Sequence, residues 1–111
     1  MRYTLIVTAS LLAAVFVLLN PGSVQAAGDK EAGRVTAYTC LGCHGIPGYS
    51  NIYPTYKVPK IGGQNYEYLV AALKAYRNGE RDHPTMELHA ISLSDQDIEN
   101  VSAYFASFGK D

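Results

Sequence analysis

The residues most able to do chemistry are five in a row, Cys40-Leu41-Gly42-Cys43-His44. Two thiols stand three positions apart, and an imidazole directly follows the second. C-x-x-C-H is the attachment signature of a c-type haem. Each thiol can add to one of the two haem vinyl groups to form a thioether. The adjacent imidazole then lies beneath the ring centre, where it can bind iron. Simpler readings compete. A thioredoxin-like redox pair belongs in a βαβ context, which the sequence lacks. A disulfide across two intervening residues closes a tiny loop and stabilises little. A zinc ion would need two more ligands, and only His83 and His89 remain.

A haem iron also needs a sixth ligand or an open position. Electron-transfer haem proteins set Met opposite His, which raises the potential. The chain has two methionines, and Met1 lies at the extreme N-terminus. Met86 is therefore the candidate thioether, 42 residues beyond His44 in a segment read as a loop. An isolated Met otherwise fills a core gap, but a filler sits more often on a helix stripe. His83 and His89 compete for the sixth position, although a lone loop histidine is usually solvated.

Residues 1–26 differ from the rest. Arg2 precedes an apolar run from Leu5 to Leu19 broken only by Thr8 and Ser10. A turn at Asn20-Pro21-Gly22 follows, then Val24 and Ala26 at the −3 and −1 positions of a cleavage site. This is the pattern of a cleaved secretory signal peptide. The apolar run has 15 residues, short of the roughly 20 that span a bilayer. An uncleaved anchor is the alternative.

The whole chain has 111 residues, 48% apolar, with a net charge of −1. Without the leader, 85 residues (27–111) remain, with a net charge of −2. That is one domain, too small to bury a comfortable core alone. Small exported domains usually add disulfides, a metal or a cofactor. The near-neutral charge argues against a nucleic-acid binder, and the apolar content against disorder.

Three helices must position these groups. Residues 28–39 read as a short helix with Asp29 and Glu31 in its first turn. Residues 40–64 carry the cysteine motif into a long loop rich in glycine and in Pro47, Pro54 and Pro59, which argues against regular structure. Residues 65–78 read as an amphipathic helix with Tyr66, Leu69, Val70 and Leu73 on one face, stopped at Gly79. Residues 80–93 read as a second loop. In the last helix Ser94 is the N-cap and Asp97 resembles a capping-box partner. Ile98, Val101, Phe105 and Phe108 form its buried stripe, and Gly109 ends it. No useful strand alternation appears, so the fold class is all-α.

Together these residues resemble the class I c-type cytochromes, specifically the small bacterial periplasmic monohaem branch. The likeness rests on Cys40-Leu41-Gly42-Cys43-His44-Gly45, Pro59-Lys60-Ile61-Gly62-Gly63-Gln64, Tyr76-Arg77-Asn78-Gly79-Glu80-Arg81, Met86 and Leu93-Ser94-Asp95-Gln96-Asp97-Ile98. It implies a cytochrome c fold, three main helices and long loops wrapped around one covalent haem c. It implies that the Pro59 carbonyl accepts a hydrogen bond from His44, that Ile61 packs on the haem, and that Gly33 and Tyr104 mark a crossing of the terminal helices. The loop containing Tyr49, Tyr53 and Tyr56 departs from the commonest pattern. Arg77 and Arg81 are candidates for pairing with haem propionates, against a default of surface ion pairing.

The expected protein is a periplasmic one-electron carrier, not an enzyme. Its haem c is bound through Cys40 and Cys43, with His44 and Met86 on the iron and Pro59 and Ile61 supporting the site. Its partners would be redox proteins, a respiratory oxidase or dehydrogenase docking transiently. No nucleic acid and no stable membrane insertion after cleavage are expected. Alternatives are a haem subunit of a larger oxidoreductase and a sensory haem protein with a labile Met ligand.

Overall fold

The computed structural model describes residues 27–109; the leader expected over 1–26 lies outside them. Helix α1 spans Lys30–Thr36 and α2 spans Tyr38–His44. Strands β1 (Ser50–Ile52) and β2 (Thr55–Lys57) form a hairpin. Helices α3 (Tyr66–Arg77), α4 (Pro84–Ile91) and α5 (Asp95–Ala106) follow. Helix dominates, as expected, with one small two-stranded sheet added.

Each helix start has a chemical cause. The Asp29 carboxylate accepts hydrogen bonds from the Glu31 and Ala32 amides, at 2.8 and 3.3 Å, and so caps α1. Asn65 caps α3 by accepting from the Tyr68 amide at 2.9 Å. Ser94 and Asp97 form the expected reciprocal box at the head of α5. Gly79 takes the left-handed conformation after α3, with φ of 74°.

Four expectations are corrected. The helix expected over 28–39 is two, broken at the buried Ala37, and the cysteine motif rides on the second rather than entering a loop. The Thr36 hydroxyl donates back to the Ala32 carbonyl at 3.3 Å, a bond that bends helices. The segment 80–93 is not a loop, because α4 occupies most of it. Pro84 stands at the first helical position, where a missing N–H costs nothing and the fixed φ is already helical. The hairpin lies within a segment expected to be irregular. Its strands, with Asn51 opposite Tyr56, have three residues each, too short for periodicity to register. Phe108 also leaves the buried stripe and is partly exposed.

The terminal helices cross at close range. Gly33 is buried, and a Cβ there would overlap the Asn100 carbonyl and lie 3.0 Å from Tyr104 Cβ. The expected crossing is thus a backbone-to-backbone contact, possible because Gly has no side chain. The Asn100 side chain accepts from the Asp29 amide at 2.8 Å, and Tyr66 donates to Glu99. Beneath the crossing, Ala37, Leu69, Val101, Phe105 and Ala106 form the core. Arg77 ties the end of α3 to the head of α5, donating to Asp95 at 2.6 Å and to the Leu93 carbonyl at 3.1 Å. The loop after the hairpin is anchored where the Gly63 amide donates to the Phe105 carbonyl at 2.8 Å.

Candidate functional site

A cavity of about 430 Å³ opens beside this small core. That volume falls within the range of small-molecule and cofactor sites. From α2 it is lined by Cys40, Cys43 and His44. The segment after the hairpin contributes Val58, Pro59 and Ile61. Helix α3 contributes Leu69, Ala72, Leu73 and Tyr76, and α5 contributes Val101, Ser102 and Phe105. Met86 closes the lining from α4. The helices bearing His44 and Met86 do not approach each other at backbone distance, and both line the cavity.

The two thiols lie one turn apart on the same helix, and both reach the cavity. Both are free, and burial pushes the Cys40 thiol above its ordinary range. A redox-active cysteine needs the opposite shift, toward thiolate. His44 ends α2 with its Nδ1 2.7 Å from the Pro59 carbonyl oxygen. That oxygen can only accept, so Nδ1 carries the proton and donates. Nε2 is left as the nitrogen able to bind a metal, with its ring orientation fixed.

The structure brings Met86, His83 and His89 to the same cavity. Met86 is half-buried in the first turn of α4. His83 caps that helix, its Nδ1 accepting from the Met86 amide at 3.4 Å. Its ring stands edge-on to Tyr56, with centroids 4.8 Å apart.

Charge around the cavity is one-sided. Lys57, Lys60 and Arg81 line it, and among the described residues no carboxylate does. In a chain with ten acidic residues this is a selective arrangement. Arg81 lies 4.7 Å above the Tyr76 ring and donates to the Tyr68 hydroxyl at 3.3 Å. Arg77 faces elsewhere, bound to Asp95 and Leu93. Of the two arginines weighed for an anionic group, only Arg81 reaches the cavity.

The tyrosines divide in the same way. Tyr56 lines the cavity, whereas Tyr53 is 93% exposed at the hairpin tip and Tyr49 is not in the lining. Tyr68 and Tyr76 of α3 also line it, a role the sequence did not assign to either. The signal for Tyr76 was helical spacing, since 69, 72, 73 and 76 form one face of α3.

An apolar chamber fits a flat hydrophobic cofactor, its cationic rim fits acidic substituents, and the paired thiols fit covalent attachment. Ser102 Oγ is buried at the cavity wall without a hydrogen-bond partner among the described residues. Such an atom is normally satisfied by something.

Comparison with known proteins agrees with this chemistry. The family model described as Cytochrome c matches residues 30–108. Cytochrome c-554(548) of Halomonas halodenitrificans is 40% identical over 84 residues, covering 73% of this chain and 98% of that protein. Cytochrome c4 of Pseudomonas aeruginosa is 37% identical over 97 residues, covering 87% of this chain and 47% of that protein. The chain thus spans about half the length of that relative. A solved cytochrome c4 structure from Acidithiobacillus ferrooxidans superposes with a TM-score of 0.58 at 25% identity, over 92% of this chain and 64% of the other. The chain belongs to the cytochrome c family.

Proposed function

We propose that this protein is a periplasmic one-electron carrier with a single haem c. Cys40 and Cys43 would hold the haem through thioethers, and His44 and Met86 would be its axial ligands. The observation that carries this reading is the His44–Pro59 hydrogen bond at 2.7 Å, beside the two cysteines and in a cavity also lined by Met86. It fixes the imidazole with Nε2 free, which is what an iron ligand requires.

When bound, the haem supplies one iron that alternates between ferric and ferrous states. The chain's own residues set the conditions. Pro59 holds the His44 ring in a fixed orientation through the hydrogen bond. Ile61, Leu69, Leu73, Val101 and Phe105 make the walls apolar and keep water out, which disfavours added charge at the metal. Arg81, Lys57 and Lys60 place positive charge in the cavity lining, which would suit acidic substituents. Met86 and His44 as iron ligands would favour the reduced state relative to two histidine ligands.

Both ligands stay bound in such a carrier, so no substrate site at the metal is needed. Partners would be redox proteins, an oxidase or a dehydrogenase, docking transiently over a small area. Export rests on the leader pattern of residues 1–26. Among the described residues no helix is long and apolar enough to cross a membrane.

The test is the optical spectrum of the purified holoprotein, oxidised and reduced, with and without carbon monoxide. The expected result is a covalent haem c spectrum, a far-red ferric band from thioether ligation, and no rapid carbon monoxide adduct. A haem-loaded sample without that band, or one binding carbon monoxide at once, would overturn the assignment of Met86.

A further inference from the structure

Met86 needs to be held over the cavity, and α4 is poorly equipped to do this alone. Its buried residue is Ala90, a full turn beyond Met86, while Pro84, Thr85, Glu87 and Leu88 are exposed. Its cap is a histidine rather than Ser, Thr, Asp or Asn. The capping bond is long, at 3.4 Å, where such bonds centre near 2.9–3.0 Å. The first turn therefore depends on contacts from elsewhere.

Those contacts come from two sides: α3 packs along α4, with the Tyr76 ring 6.3 Å from that of His83, and one side chain reaches in from the hairpin. The strands of the hairpin and helix α4 do not approach each other at backbone distance. Tyr56 of β2 spans the gap: its hydroxyl lies 3.1 Å from Thr85 Oγ1, and its ring meets His83 edge-on at 4.8 Å with an interplanar angle of 80°. These contacts fall on the residue before Met86 and on the residue that caps its amide. Tyr56 also sits three positions before Pro59, which holds His44. The segment from Tyr56 to Ile61 lines the cavity without a break. It thus runs from the histidine support to the methionine support.

We propose that Tyr56 and His83 form a clasp that positions Met86, so that loosening the clasp raises the fraction of molecules in which the thioether is withdrawn. The inference rests on the reading of Met86 as an axial ligand. Tyr56 and His83 act through α4 and are positioning residues.

An external ligand reports this directly, because its apparent affinity scales with the fraction of molecules whose site is open. Imidazole is titrated into the oxidised holoprotein, wild type and variants, while the far-red band is followed. Tyr56→Ala and His83→Ala are each expected to raise imidazole affinity about tenfold, in line with the loss of an aromatic pair or a cap. His83→Asn restores a good capping side chain but not the ring contact with Tyr56, and its affinity is expected to fall between those of wild type and His83→Ala. Tyr56→Phe loses only the hydroxyl and is expected to raise affinity a few-fold. A purely structural role would lower the unfolding midpoint without moving imidazole affinity at temperatures where every variant is folded. Should the alanine variants fail to fold, Tyr56→Phe and His83→Asn still carry the comparison.

Wild-type affinity in every clasp variant, with Met86→Ala binding imidazole far more tightly, would overturn the clasp alone. Wild-type protein that binds imidazole as tightly as Met86→Ala would overturn the ligand reading, and the clasp with it.

Discussion

The crossing of α1 and α5 leaves no room for a side chain at Gly33, and Gly33→Ala tests it. The new Cβ would overlap the Asn100 carbonyl oxygen and lie 2.5 Å from its carbon, where ordinary contact begins at 3.4 Å. Neither atom can swing aside, because both belong to helix backbone. The helices must therefore part by about 1 Å. Overpacking of this kind costs roughly 1–3 kcal/mol, and a backbone clash belongs at the upper end. Parting the helices also strains the Asp29–Asn100 bond of 2.8 Å, worth about 1 kcal/mol. Alanine's better helix propensity offsets ~1 kcal/mol. The net loss is about 3 kcal/mol, which for a domain of this size lowers the melting midpoint by roughly 12–24 °C. The assay is thermal unfolding of the holoprotein by circular dichroism. Gly42→Ala is the control, since it is also helical and an added Cβ there meets nothing within 4 Å. It is expected to melt at or slightly above wild type. A Gly33→Ala protein melting within two or three degrees of wild type, on the order of 0.5 kcal/mol, would refute the backbone-contact account.

Other outcomes follow from the site and the caps. Met86→Ala should abolish the far-red band, lower the reduction potential and admit carbon monoxide; an unchanged potential in voltammetry would point to His83 or His89 instead. Cys40→Ala with Cys43→Ala should leave no covalent haem after denaturing electrophoresis with haem staining, and should prevent stable folding. Asp95 and Asp97 have carboxyls held below their ordinary range, the first by its hydrogen bond from Arg77 and the second by those from Ser94. Their folded values are depressed, so their stabilisation is complete above the unfolded carboxylate range and is lost as pH falls through the folded values. Ser94→Ala should therefore cost about 1 kcal/mol at neutral pH and flatten the acid limb of the unfolding midpoint against pH.

The grouping of the two thiols and the imidazole was legible because it is local. Cys40, Cys43 and His44 are adjacent in the chain, and any helix puts the two thiols on one face. The α5 capping box and the stop at Gly79 were legible for the same reason, since a cap is decided within a few residues. The sequence also named Met86, by elimination among two methionines. It did not reveal the helix under Met86, because α4 has a weak apolar face and a proline that reads as a breaker until its first-turn position is known.

Tertiary structure decided what depends on contacts between distant segments. It separated Arg81 from Arg77: Arg81 reaches the cavity, while Arg77 is held by Asp95 and Leu93 across 18 and 16 residues. It picked Tyr56 out of three nearby tyrosines by pairing β1 with β2, which sends Tyr53 to solvent and Tyr56 toward His83. Residue type and spacing thus specify which groups can bond to a cofactor. The direction in which a long side chain points is set by packing between segments far apart in sequence, and only the assembled fold shows it.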